Sequence, residues 1–129
     1  MKDTSGIRQT GGFGKAHRLR RGRSFERLFQ EGQCLAGRTT VMRVIPGEAA
    51  HSRCGVIASK RTFRRAVDRN RAKRLLRESF RQERGGLPMV CDVILVARKL
   101  ILEDGVSAVC RDIRRLVARM DWSRYEGEA

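Results

Sequence analysis

From Val67 to Arg81 the chain sorts into two faces once it is wound as a helix at about 100° per residue. Ala72, Leu75, Leu76, Ser79 and Phe80 recur at i, i+3, i+4, i+7 and i+8, a stripe ready to pack. Arg69, Lys73 and Arg77 stack at i, i+4 and i+8, with Asn70, Arg74 and Arg81 beside them. Only Glu78 interrupts the positive charge between Arg69 and Arg81. Like charges at that spacing destabilise an isolated helix. The stretch can therefore hold its shape only if the stripe is packed on a core and something offsets the repulsion on the other face. Water alone gives a solvated basic face. A phosphate backbone gives a nucleic-acid contact, and so dense a run of cations favours that reading.

The rest of the composition points the same way. In 129 residues there are 29 Lys and Arg against 14 Asp and Glu, a net charge of +15, and 24 of the cations are Arg. Such a charge opposes self-association, so a monomer is expected, and it attracts an anionic polymer. Guanidinium forks suit phosphates and guanine edges better than point charges do. Mean hydropathy is −0.48. No apolar run approaches a membrane span, and the first twenty residues lack the apolar core of a signal peptide. The expectation is a cytoplasmic, single-domain protein without a membrane partner.

Cys34, Cys54, Cys91 and Cys110 are far apart and form no C-x-x-C pair, so reduced, buried thiols are expected rather than disulfides or zinc ligands. His17 and His51 are isolated. The sequence holds no H-E-x-x-H, P-loop, G-x-S-x-G or suggestive carboxylate pair, so no catalytic or metal-binding residues are assigned.

Along the chain, residues 1–18 read as a flexible basic arm, residues 19–120 as one domain and residues 121–129 as a loose tail. Ser24 is a candidate N-cap for a short helix that stops at Gly32 and carries Phe25, Leu28 and Phe29 on one face. Residues 39–45 and 53–59 read as strands, the second with Gly55 where a neighbour can come close to the backbone. Residues 60–66 form a basic connector into the central helix, which ends near Gly85-Gly86. Residues 89–97 are a buried strand, and residues 106–120 a helix with an apolar stripe from Val106 to Met120. Trp122 and Tyr125 are expected to pack the end of that helix rather than stack on bases. The order predicts a compact α/β sandwich.

Arg69-Asn70-Arg71-x-Lys73-Arg74-x-x-Arg77, placed on a helix after two strands, resembles the signature of the bacterial ribonuclease P protein component. Three other pieces resemble that family in the same order: Phe25-x-x-x-Phe29-x-x-Gly32, the run from Cys54 to Arg61, and the run from Asp92 to Lys99. The resemblance implies a two-layer α/β (α+β) sandwich like the second domain of ribosomal protein S5. It also implies a left-handed βαβ crossover, against the usual hand, and a small extra strand near residues 33–36. The implied function is that of the protein subunit of a tRNA 5′-maturing ribozyme, one copy per RNA. The RNA would carry the chemistry and hold the Mg2+, and the polypeptide alone would be inactive.

Two surfaces are implied with it. Lys60, Arg61, Arg65, Arg69, Asn70, Arg71, Lys73, Arg74 and Arg77 would grip ribonuclease P RNA. Phe25, Phe29, Arg43, Arg98 and Lys99 would line a cleft for the precursor-tRNA leader. Many members place an aromatic on the strand at residues 39–45; this chain has none there, and Arg43 takes the place. After the basic turn, where a Gly is common, stand Thr62-Phe63-Arg64-Arg65. On the residues alone Asn70 suits an RNA contact or a helix cap, and the two Phe suit core or stacking platform. Composition fits a non-processing RNA-binding protein equally well. A DNA-binding regulator would need a helix-turn-helix, and none is visible.

Overall fold

The described residues form four strands and three α-helices. The computed structural model describes residues 18–19 and 22–125; the expected arm up to His17 and the tail residues 126–129 lie outside the described residues. Helix α1 (Arg23–Glu31) leads into β1 (Gln33–Ala36), β2 (Thr40–Pro46) and β3 (Arg53–Ile57); α2 (Ala66–Glu83), β4 (Cys91–Ala97) and α3 (Val106–Arg119) follow. The sheet order is β1-β2-β4-β3. β2 pairs antiparallel with β1 and β4, while β3 and β4 run parallel and are joined through α2.

Strand alternation divides the sheet into two faces. Met42, Val44, Cys54, Cys91, Val93 and Leu95 point toward α2 and α3 and form the main core with Leu76, Phe80, Val109, Ile113 and Leu116. The stripe expected of the central helix is the one that packs: Ala72, Leu76, Ser79 and Phe80 are buried and Leu75 lies against the cluster. On the reverse face Ile45 and Ile94 meet Leu28, Leu19 and the half-buried Phe25. Among the described residues that face is covered by the nine-residue helix α1 and by Leu19, with Phe25, Ile57 and Val96 half-buried around them.

Gly32 does end α1, though by space rather than by a left-handed conformation: a Cβ there would lie 2.5 Å from the Leu28 carbonyl oxygen. The helix starts two residues earlier than a Ser24 cap would put it, with Gly22 at φ 144° as the cap position. Residues 121–125 are not loose. Trp122–Tyr125 is a short 3-10 turn in which Tyr125 is buried and the Trp122 indole donates to the Val117 carbonyl at 2.8 Å. The Tyr125 hydroxyl donates to the Val44 carbonyl at 3.3 Å and accepts from Gln33 Nε2 at 3.0 Å. Trp122 and Tyr125 thus pack the end of α3, as their apolar bodies predict.

The β1–β2 turn is fixed from α3. The Asp112 carboxylate, buried in a helix otherwise rich in Arg, accepts the Thr39 N–H at 2.8 Å, the Thr39 hydroxyl at 2.7 Å and the Arg38 N–H at 3.3 Å. Removing it strands a buried backbone donor and a buried hydroxyl, each costing about 1–3 kcal/mol. Asp112→Ala is expected to lower unfolding free energy by about 2–4 kcal/mol in urea titrations, with Asp112→Asn intermediate; an unshifted midpoint for the Ala variant refutes the role.

Candidate nucleic-acid interface

The parallel β3–α2–β4 unit decides where the cations go. β3 and β4 finish at the same end of the sheet, since Ile57 pairs with Val96, and β2 starts there, since Thr40 pairs with Ala97. The connector with Lys60, Arg61, Arg64 and Arg65, the Arg98-Lys99 pair after β4 and Arg38 before β2 therefore gather at one end. All seven are exposed. From this end α2 runs back along the sheet with its buried stripe inward.

The residues assigned to the RNA-gripping surface separate into two groups. Asn70, Arg71 and Arg74 are exposed on the outward side of α2 and have no side-chain partner among the described residues. Asn70 does not cap the helix, which begins four residues earlier with Arg65 at the cap position. Arg69, Lys73 and Arg77 flank the stripe and are half-buried. Arg69 turns back to the connector, where its Nη1 donates to the carbonyls of Phe63 at 2.8 Å and Arg64 at 3.0 Å. It fixes the basic turn rather than offering a free fork. Burial, then the neighbouring Arg18, hold the Arg77 guanidinium below the usual arginine range. Glu78 is occupied by Arg81, whose Nε donates at 3.0 Å, and by Gln82 at 2.9 Å; these bonds, led by Arg81, hold its carboxyl below the ordinary range.

The two phenylalanines assigned to the leader cleft differ. Phe25 is half-buried and lies over Gly55, where a Cβ would come within 3.2 Å of its ring and 3.0 Å of the Leu19 carbonyl oxygen. That is the close approach expected at Gly55. Phe29 is 40% exposed, its ring 5.3 Å from that of Phe25. The Arg43 guanidinium stacks 4.9 Å from the Phe29 ring centre and donates to the Phe29 carbonyl at 3.3 Å. Arg43, Phe29 and Phe25 thus form one surface on the reverse face. Arg98 and Lys99 stand apart from it: Arg43 pairs with Ile94, four residues before Arg98, or about 13 Å along the strand. They stand at the sheet end, away from the Phe25–Phe29–Arg43 surface.

Among the described residues no group of three or more His, Cys, Asp and Glu side chains is placed to hold a metal ion. Asp92 is buried against Arg53, which donates from Nε at 3.0 Å and Nη2 at 2.7 Å. Cys54, Cys91 and Cys110 are buried free thiols, whereas Cys34, contrary to expectation, is exposed on edge strand β1, where alternate residues face outward. Burial raises the Cys54 thiol strongly and the Cys91 thiol to about 12, so neither is a nucleophile near neutral pH. No described helix is long and apolar enough to cross a membrane.

Sequence reasoning missed the structural use of Arg69 and Asp112. The only signal for Asp112 was an acid placed among the arginines of α3. Arg69→Ala is expected to cost about 1–2 kcal/mol of stability through its lost charged hydrogen bonds, while Arg74→Ala stays within about 0.5 kcal/mol of the parent. Equal melting curves for the two variants would remove the distinction.

Comparison with known proteins accounts for this arrangement. Residues 13–121 match the family model described as Ribonuclease P. The chain is 34% identical over 110 residues to the ribonuclease P protein component of Coxiella burnetii, covering 85% of this chain and 90% of that one. It is 37% identical over 111 residues to that of Thioalkalivibrio sulfidiphilus, covering 84% and 90%. Its fold is similar to the solved ribonuclease P protein of Thermotoga maritima, with a TM-score of 0.69 at 30% identity over 81% of this chain and 97% of that one. The Staphylococcus aureus protein gives 0.67 at 27% identity, covering 81% and 94%. With the matched region spanning both the basic helix and the cleft, the chain belongs to the ribonuclease P protein component family.

Proposed function

We propose that this chain assists removal of the 5′ leader from precursor tRNA in the cytoplasm by holding two RNAs at once. The outward side of α2 and the Lys60–Arg65 turn grip the catalytic RNA, one protein per RNA. The cleft under α1 takes the unpaired leader. What supports this above all is the state of Asn70, Arg71 and Arg74: exposed together on α2, the two arginines three residues apart and without an ion-pair partner among the described residues. Phosphates relieve that repulsion, and binding them releases counterions. Arg69 contributes indirectly, by holding the turn that presents Lys60, Arg61 and Arg65.

The cleft suits a single strand. Phe29 is 40% exposed, with Phe25 tilted against its ring and the Arg43 guanidinium lying over it. A base can stack there while the guanidinium meets its phosphate. Mature tRNA has no leader to place, so the cleft separates substrate from product.

This polypeptide supplies positioning and charge, and by itself no hydrolysis. In this reading Mg2+ belongs mainly to the RNA subunit: Asp92 is committed to Arg53, Asp112 to Thr39 and Asp104 to Arg38 at 3.1 Å, and no group of three or more His, Cys, Asp and Glu among the described residues is placed to hold an ion. Their arrangement does not fit the ion.

Reconstitution tests the proposal. Added to a ribonuclease P RNA, the protein should lower the magnesium needed to cut precursor tRNA at the mature 5′ end, and protein free of RNA should leave the substrate intact at every magnesium concentration. A preparation without RNA that cuts there sinks the division of labour. Arg71→Ala and Arg74→Ala should each flatten the salt dependence of RNA binding by about 0.7–0.9 in log–log slope; unchanged slopes argue against phosphate contact by α2. Phe29→Leu should melt within about 0.5 kcal/mol of the parent yet lose about 1 kcal/mol or more of precursor-tRNA binding, with mature tRNA bound normally. Phe25→Leu should mainly lose stability. If Phe29→Leu loses stability and keeps leader affinity, the stacking surface lies elsewhere.

A further inference from the structure

The basic surface continues past the end of the cleft. Arg98 Nη1 donates to the Gly37 carbonyl at 2.8 Å and the Arg98 N–H to the Thr39 carbonyl at 2.9 Å, so the residue is tied to the β1–β2 turn. Beyond the turn Arg38 overlooks α3 across a shallow cavity of about 110 Å³, lined also by Asp104, Arg111, Asp112 and Arg115. Its two acids are occupied. Asp112 accepts from Thr39 and from the Arg38 N–H, and Asp104 takes Arg38 Nε at 3.1 Å. Arg111 and Arg115, one helical turn apart, are exposed and have no acid partner among the described residues. Two like charges at i and i+4 carry the same unrelieved repulsion as the outward face of α2.

We propose that Arg38, Arg111 and Arg115 extend the leader cleft into a phosphate track, on which single-stranded RNA leaving the cleft past Arg98 rounds the β1–β2 turn and runs onto α3. The inference rests on reading the cleft as the leader site. Geometry selects an unpaired strand. The cleft is on the reverse face of the sheet and α3 on the other, so a ligand touching both must turn around the sheet end. A nucleic-acid duplex, stiff over about 150 base pairs, does not bend so sharply; an unpaired strand does. The track is also held in place before any RNA arrives. Asp112 ties the turn to α3 and Arg98 ties it to β4, so forming the site requires little further ordering. Guanidinium forks spaced along such a path match successive phosphates.

The test uses holoenzyme reconstituted with Arg111→Ala/Arg115→Ala protein and precursor tRNAs with leaders of about 4 and about 16 nucleotides, the bounds of single-strand site sizes on small domains. For the long leader, affinity should fall several-fold and the log–log salt slope by about 1.4, two single-strand phosphates' share. Binding of the short leader, of mature tRNA and of the catalytic RNA should be unchanged, as should melting. Unchanged long-leader affinity overturns the track. So does a loss of equal size for both leaders or for the catalytic RNA, which would assign α3 to a different contact. Phe29→Leu reports on the cleft alone: weak leader binding in that variant beside normal binding by Arg111→Ala/Arg115→Ala rejects the track and leaves the cleft reading standing.

Discussion

With 29 cations and 14 carboxylates, at most half the positive charge can be neutralised within the chain, so the placement of the acids decides where repulsion remains. Several are spent on seams. Asp92 joins β3 to β4 through Arg53, Asp112 joins α3 to the β1–β2 turn, and Glu83 joins α2 to α3 through Arg114 at 3.0 Å. A carboxylate at a seam works in a drier medium than one at the surface, and its bonds are correspondingly stronger. The consequence is that the outward side of α2, the basic turn and part of α3 keep their charge uncompensated. The internal ties that hold the fold together and the open charge that attracts RNA follow from one distribution.

The crossover from β3 through α2 to β4 turns that distribution into a working geometry. Because the two strands are parallel neighbours, the connector before α2 and the residues after β4 leave from the same sheet end. Cations separated by more than thirty positions in sequence, such as Lys60 and Arg98, thereby share one end of the molecule. The antiparallel neighbour β2 brings Arg43 onto the reverse face beside α1, giving the cleft its cation. The outward cations of α2 and the Phe25–Phe29–Arg43 surface then lie on opposite sides of one sheet, each backed by its own apolar cluster.

Periodicity revealed the elements better than it revealed the duties of single side chains. The stripe of α2, the buried run in β4 and the close approach at Gly55 could be read directly, because each is a repeating or local constraint. The short strand β1, Gln33–Ala36, has too little pattern to stand out by itself and came only with the family resemblance. The packing of Tyr125 could be expected but not its partners: its hydroxyl bonds to Gln33 and Val44, which no local window contains. Arg69 was read as part of a charged ladder, yet its position one turn after the connector lets it reach two free carbonyls. Long-range pairing and the choice between a backbone and an RNA partner are tertiary facts, invisible at the level of spacing.

The preponderance of Arg over Lys has a physical basis in the half-buried flank of α2. Arg77 sits where burial and Arg18 both work against a positive charge. A lysine there would start from about 10.4 and move down toward neutrality, whereas an arginine starts so high that it stays charged at any physiological pH. Arg69 needs a donor that can serve two carbonyls from one nitrogen while remaining ionised, which a planar guanidinium does with little further loss of freedom. A helix that must lay its apolar stripe on a sheet and still present cations beside that stripe is therefore driven to arginine at its margins, independently of what the RNA prefers to bind.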